Sequence, residues 1–285
     1  MKTLISGLVL AFLTCGCFQQ IALNSIGNLM DTGFEVINEE QDLDLAEKSI
    51  ASDLKLLETV IAKDPDNSHY LLLACEGYSS YALAFAEDDS TGRASLFYQR
   101  AKDYGMRILR KNKGFGAALG TGIDEFRSAL GTFSEDDTPA LYWTAVAWGS
   151  YINLNLTDPS AVADLPRVEE MVKAVLARDP GYYYGGPHFV LGTIYGSKPK
   201  IFGGSPDLSR QHFEECLKIN GGKFLLSYIF YAKSYAVQTQ DKALFEQCLT
   251  TVDTTSINIE PKARLANAVA KKKAKILREK IDQFF

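Results

Sequence analysis

Tyr182-Tyr183-Tyr184-Gly185-Gly186-Pro187, followed shortly by Lys198-Pro199-Lys200-Ile201-Phe202-Gly203-Gly204, brings together the side chains best suited to holding a ligand. Three adjacent tyrosines cannot share one face of a helix, so at least one is expected to leave the packed side and face a cavity or a partner. Aromatic faces supply apolar area and a lysine at the mouth supplies a counter-charge, so the chemistry is that of holding an amphipathic carboxylate. Tyr182, Tyr183, Tyr184, His188, Tyr195, Lys198, Lys200 and Phe202 are the candidate lining of such a passage. The competing reading is a loop that only covers a gap between helices.

Catalytic arrangements do not accompany this stretch. His69, His188 and His212 are scattered, and neither H-E-x-x-H nor C-x2-C occurs, so no metal or other cofactor is expected. There is no G-x-S-x-G elbow, P-loop or EF-hand loop. Gly114, Gly116, Gly120 and Gly122 have the spacing of a dinucleotide loop, but they follow a helix pattern and read better as helix-packing glycines. The expected protein is not an enzyme. A net charge of -5 and a pI of 5.4 also argue against a nucleic-acid partner.

The elements that must position the tyrosines are all helical. With 46% hydrophobic and 23% charged residues in 285, the composition is globular, and periodicity gives about twelve helices and no convincing strand. Residues 1–16 read as a signal peptide, with a basic start, an apolar run from Leu4 to Leu13 and then Thr14-Cys15-Gly16-Cys17. Cys17 is the expected lipidation site, with Cys15 as the competing site and an ordinary secretory leader as the competing process. Residues 17–285 are expected to form a single helical domain. Cys75 and Cys216 fall at small-residue positions of helices, which suits compact apolar filling.

The helices recur in pairs. His188, Leu191, Gly192 and Tyr195 have the W-x2-L-G-x2-Y spacing of a tetratricopeptide first helix, and Ser209, Phe213 and Cys216 give the small, aromatic, small pattern of its partner. The connection between them carries about five residues more than a standard repeat. Leu71, Ala74, Cys75 and Tyr78 occupy the same register earlier in the chain, followed by Ala94, Tyr98 and Ala101. Leu119 with Gly120, and Tyr228 to Tyr235, give two further approximations. Tyr78, Leu119, Gly120, Leu191, Gly192, Phe213 and Tyr235 are accordingly expected in repeat packing, as an irregular, compact tetratricopeptide-like array. The final helix, from Pro261, carries Lys271, Lys272, Lys273, Lys275, Arg278 and Lys280 on a face expected to be solvated, or else to meet anionic headgroups or an acidic partner.

From Ala140 onward, the run Ala163 to Leu217, the segment Gly221 to Leu249 and the terminal Arg264 to Asp282 resemble the T-component family of TRAP transporters; the first half resembles it more in order of elements than in residues. The resemblance implies a lipid-anchored periplasmic tetratricopeptide protein that works with a substrate-binding P-component. It also implies self-assembly, a trimer being one form, and an apolar channel or cleft for a hydrophobic or amphipathic organic acid. A scaffold lipoprotein that organises an envelope complex without any small-molecule ligand is the alternative.

Overall fold

The computed structural model describes residues 26–198 and 203–285, and every regular element among them is helical. Cys17, Lys200 and Phe202 lie outside the described residues. A helix over 26–38 (α1) leads into α2 (Leu43–Lys63) and α3 (Ser68–Tyr81). Asp42 caps α2 by accepting from the amides of Asp44 and Leu45, which would otherwise be orphan donors. Ala46, Ile50, Leu54, Leu57 and Ile61 recur along one face and are all buried.

The chain does not break after α3. It continues into a π-helical turn, Ala82–Ala86, before α4 (Thr91–Leu109) returns alongside. The residues between these helices are thus partly taken up by i→i+5 hydrogen bonding. Arg93 meets the Tyr81 hydroxyl, Arg100 meets that of Tyr78 at 3.1 Å, and Gly105 sits against Cys75, which makes the pair antiparallel.

Two short helices, α5 (Lys113–Ala118) and α6 (Ile123–Leu130), precede α7 (Thr138–Leu154). Asp137 accepts from both the amide and the hydroxyl of Ser134, and Pro139 sits in the first turn of α7, where its missing N–H costs nothing. Helix α7 is apolar around most of its circumference and forms the middle of the core. After the single turn α8 (Pro159–Val162) come α9 (Leu165–Arg178), α10 (Tyr182–Ser197) and α11 (Pro206–Asn220). Helix α12 (Leu226–Phe230) continues through a second π-helical segment, Tyr231–Ala236, into α13 (Val237–Thr239). The chain ends with α14 (Lys242–Thr254), α15 (Arg264–Glu279) and α16 (Ile281–Phe284).

Helices α10 and α11 approach closely at residue 192. A Cβ on Gly192 would lie 3.0 Å from the Phe213 ring, and Leu191 and Phe213 are buried. Tyr78 is buried too, and Tyr235 packs on Tyr231 at 5.2 Å between ring centroids. Leu119 is half-buried against the core, but Gly120 is a correction. It lies in the turn after α5, with open space where a side chain would stand, because that helix stops too early to carry it into a contact.

The lysine-rich terminus needs correcting as well. Pro261–Ala263 is a separate 3-10 turn, and Lys273 points into the molecule, 3.0 Å from Asp88 and 3.7 Å from Glu87. Lys273 is only 6% exposed. The pair fastens α15 to the π-helical end of α3, so this cation is structural and lies off the solvated face. Cys75, Cys216 and Cys248 are free and buried.

Candidate functional site

The start of α10 departs from helical geometry. Tyr183 (φ 46°, ψ 62°), Tyr184 (φ 61°, ψ 32°) and Gly185 (φ 79°, ψ 29°) are all left-handed. Glycine takes that conformation freely, whereas each tyrosine pays about 1–2 kcal/mol for it. Strain of this kind on two bulky residues persists only where the surrounding structure enforces it, and it concentrates at functional sites. Pro187 then falls at the beginning of the regular part of α10, where no earlier helical carbonyl awaits its missing N–H.

The left-handed turn separates the three tyrosines. Tyr182 packs edge-on against Tyr142 at 5.1 Å. Tyr183 meets Trp143 edge-on at 4.7 Å, and Tyr184 lies flat on Phe224, also at 4.7 Å, with an interplanar angle of 6°. Tyr183 and Tyr184 line a cavity of about 210 Å³ whose walls come from α3, α7, α10, α12 and α15. Trp143, Val146, Phe189, Phe224 and Phe230 make this lining predominantly apolar. Both π-helical segments contribute to it, through Leu83, Ala84 and Phe85 in one case and Lys233 in the other.

Of the residues singled out in the sequence, Tyr183, Tyr184 and Lys198 reach the cavity. Tyr182, His188 and Tyr195 do not: their side chains serve contacts with neighbouring helices. The His188 and His212 rings place their Nδ1 atoms 2.9 Å apart, and His212 stacks on Tyr195 at 5.7 Å. Burial, followed by the His188 charge, pushes His212 down to about 4, and burial also lowers His188.

Tyr195 donates its hydroxyl proton to Glu169 on α9 at 3.0 Å. Lys198 donates to the same carboxylate at 3.2 Å, and Lys173 pairs with it at 2.9 Å. Burial alone would raise the Glu169 carboxyl, but the Lys173 hydrogen bond, the Lys198 charge and Tyr195 together hold it below the usual carboxylate range. Lys198 therefore lines the cavity with its charge already matched.

Glu76, half-buried in the middle of α3, stands close to Tyr142, Tyr182 and Tyr183, with no hydrogen bond to its carboxylate among the described residues. Burial pushes it up to about 7. It borders the tyrosine cluster without being part of the cavity lining.

The sequence reading missed Trp143, Phe189, Phe224, Phe230 and Lys233. Lys233 alone left a trace, as the one charged residue in the run from Phe224 to Val237. The aromatic residues looked like ordinary core.

No helix of the described residues is long and apolar enough to cross a membrane, and no group of three or more His, Cys, Asp or Glu among them is placed to hold a metal ion. An uncharacterized protein of Treponema pallidum (strain Nichols) is 23% identical over 275 residues, covering 90% of this chain and 85% of that protein. The model of the family described as TRAP transporter T-component matches residues 39–285, from the end of α1 through the cavity-lining helices to the last residue. The chain belongs to the TRAP transporter T-component family.

Proposed function

We propose that this protein is a non-enzymatic, periplasmic component of a TRAP-type uptake system, and that the aromatic cavity is a passage for a hydrophobic or amphipathic organic acid. The observation that carries the reading is the cavity itself, an apolar interior space walled by Tyr183 and Tyr184 on a strained left-handed turn. A scaffold without a small-molecule ligand would need only a solid core and an outer docking face, so the interior space favours the transport reading. In the same proposal, the helical array docks the substrate-binding P-component, the chain assembles with copies of itself, and acyl chains on Cys17 hold it to a membrane.

Mass spectrometry of small molecules retained by the gently purified full-length protein tests the passage. An amphipathic acid should accompany the wild type and be depleted in Tyr184→Ala, while P-component binding persists. Loss of P-component binding with ligand retention intact would make the tyrosine turn a docking surface instead. Replacing Cys17 with Ser should release the protein from the membrane and remove the acyl label.

A further inference from the structure

The two ends of the cavity differ in chemistry. Helices α10 and α12 run side by side in the same direction: Tyr184 stacks on Phe224, Phe189 lies 4.7 Å from Phe230, and Gly196 backs onto the Ser234 carbonyl. The cavity therefore has an aromatic end at Tyr183, Tyr184 and Phe224. Its other end lies at Ser197, Lys198 and Lys233, about 18 Å along α10 at the helical rise per residue. Ser197 and Lys233 are exposed, so this second end is the mouth.

Among the described residues, three charged side chains line the cavity: Glu87, Lys198 and Lys233. Glu87 accepts from the Tyr98 hydroxyl and faces the buried Lys273. Lys198 is committed to Glu169. Lys233 has no ion pair or hydrogen bond among the described residues. It also sits on the π-helical segment Tyr231–Ala236, the kind of interrupted helix that recurs at functional sites.

We infer that Lys233 is the anion-reading residue of the passage: it holds the carboxylate head of an amphipathic ligand at the mouth, while the apolar body points inward to Trp143, Tyr183 and Tyr184. The assignment rests on the cavity being a ligand passage and goes further, because it fixes the orientation of the ligand and names the cation. A carboxylate brought to Lys198 must compete with Glu169, already bound there; at Lys233 it meets an uncommitted ammonium. No described cation lines the aromatic inner end, where a carboxylate would meet only neutral hydroxyl and indole donors, so the reverse orientation leaves the head without a counter-charge.

The experiment is calorimetric titration of the full-length protein with decanoate and with decanol, probes of equal chain length that differ in the charged head. The wild type should bind decanoate about tenfold more tightly than decanol, and the preference should shrink as salt rises. In Lys233→Gln the preference should fall to near unity with decanol binding kept, and Lys233→Arg should retain it. Lys198→Gln should lower it less than Lys233→Gln does. Equal binding of the two probes by the wild type, or a preference that survives Lys233→Gln, overturns the assignment while leaving the passage standing. A preference lost in Lys198→Gln but kept in Lys233→Gln transfers the role and also overturns it. Binding of neither probe to the wild type removes the passage itself, and the assignment with it. Melting temperatures of the variants show whether each is folded; the Lys233 side chain is exposed, so its replacement should move them little, and Lys233→Arg remains informative if the Gln variant is not.

Discussion

In α3 the Tyr78 hydroxyl donates to Glu58 of the preceding helix at 2.8 Å, and in α10 the Tyr195 hydroxyl donates to Glu169 of the preceding helix at 3.0 Å. Each glutamate also meets two cations, Lys55 and Arg100 in the first case, Lys173 and Lys198 in the second. Tyr98 and Phe213 occupy matching places on the partner helices α4 and α11, and both are buried. The two pairs part company at their ends. Helix α3 is regular at its start and turns π-helical at its finish; α10 starts with a left-handed turn at Tyr183–Gly185 and ends beside the second π-helical segment. The shared features mainly hold helices together, with Tyr98 and Lys198 reaching the cavity as well, whereas the departures supply its left-handed and π-helical walls. Helix packing and the cavity walls thus draw mostly on different parts of one pattern, and substitutions can separate them.

The sharpest break of the shared part is Gly192→Leu. A Cβ at 192 already lies 3.0 Å from the Phe213 ring, so a larger side chain forces α10 and α11 apart at about 3 kcal/mol. Gly120→Ala is the contrast: nothing lies within 4 Å of its Cβ position, and the melting temperature should barely move. Equal effects of the two substitutions in thermal melts would show that the close approach at 192 is not what joins the pair.

Glu76 of α3 and Thr193 of α10 hold equivalent places, yet Thr193 satisfies its hydroxyl on the Phe189 carbonyl, while Glu76 faces the tyrosine cluster. Its folded-state value of about 7 lies above the ordinary 4.5, so the folded chain keeps a proton that the unfolded chain has released. Stability from this group is complete below about 4.5 and is lost as pH rises through 7. The loss is at most about 3 kcal/mol. Glu76→Gln should therefore melt above wild type at pH 8 and close to it at pH 4. A difference of the same size at both values would mean that carboxylate burial is not the cause.

A smaller effect tests whether the paired tyrosines are equivalent. Tyr78→Phe and Tyr195→Phe each remove one donor to a carboxylate that keeps its cations, which should cost about 1 kcal/mol apiece in denaturant unfolding. A cost at Tyr78 alone would confine the shared network to α3.

Much of the regular packing was legible. The apolar face of Leu43–Lys63 and the Asp64-Pro65 after it mark that helix in the sequence itself, and the places of Leu191, Gly192 and Phe213 follow from their spacing. Those signals are local, within one or two turns of the residue concerned. The cavity was not legible for the opposite reason. Tyrosine carries no local preference for left-handed backbone, so the turn at Tyr183 and Tyr184 is imposed by Trp143 and Phe224 from distant parts of the chain. The sequence marked Lys198 as a free cation because Glu169 lies a full helix away, and it placed Lys273 on a solvated stripe because Asp88 belongs to the opposite half of the molecule. The π-helical segments likewise leave no compositional mark, since they depend on where a helix absorbs an extra residue.

The smallest expected effect concerns a substitution within the shared register. Where α3 and α4 place Leu71 and Phe97, α10 and α11 place His188 and His212, and each second-helix ring lies against the signature tyrosine: Phe97 is 5.8 Å from Tyr78, and His212 is 5.7 Å from Tyr195. The histidines keep the geometry but add a titration. With Nδ1 atoms 2.9 Å apart, one ring must donate and the other accept, so the pair tolerates no additional proton at that contact. The folded-state value of about 4 for His212, against an ordinary 6.5, means that the unfolded chain takes up a proton first as pH falls. Stability contributed by the neutral pair is therefore complete above about 6.5 and is lost on descending through 4, opposite in sign to the effect at Glu76. Both rings are only half-buried, so solvent screening limits the effect to about 1 kcal/mol. The double variant His188→Leu/His212→Phe imports the α3/α4 solution and should remove this component. Its melting temperature should fall less than that of wild type between pH 7 and pH 4, with Glu76→Gln as the common background to suppress the opposing term. Parallel melting curves across that range would show that the histidines pack like the residues they replace and that their titration is not linked to folding.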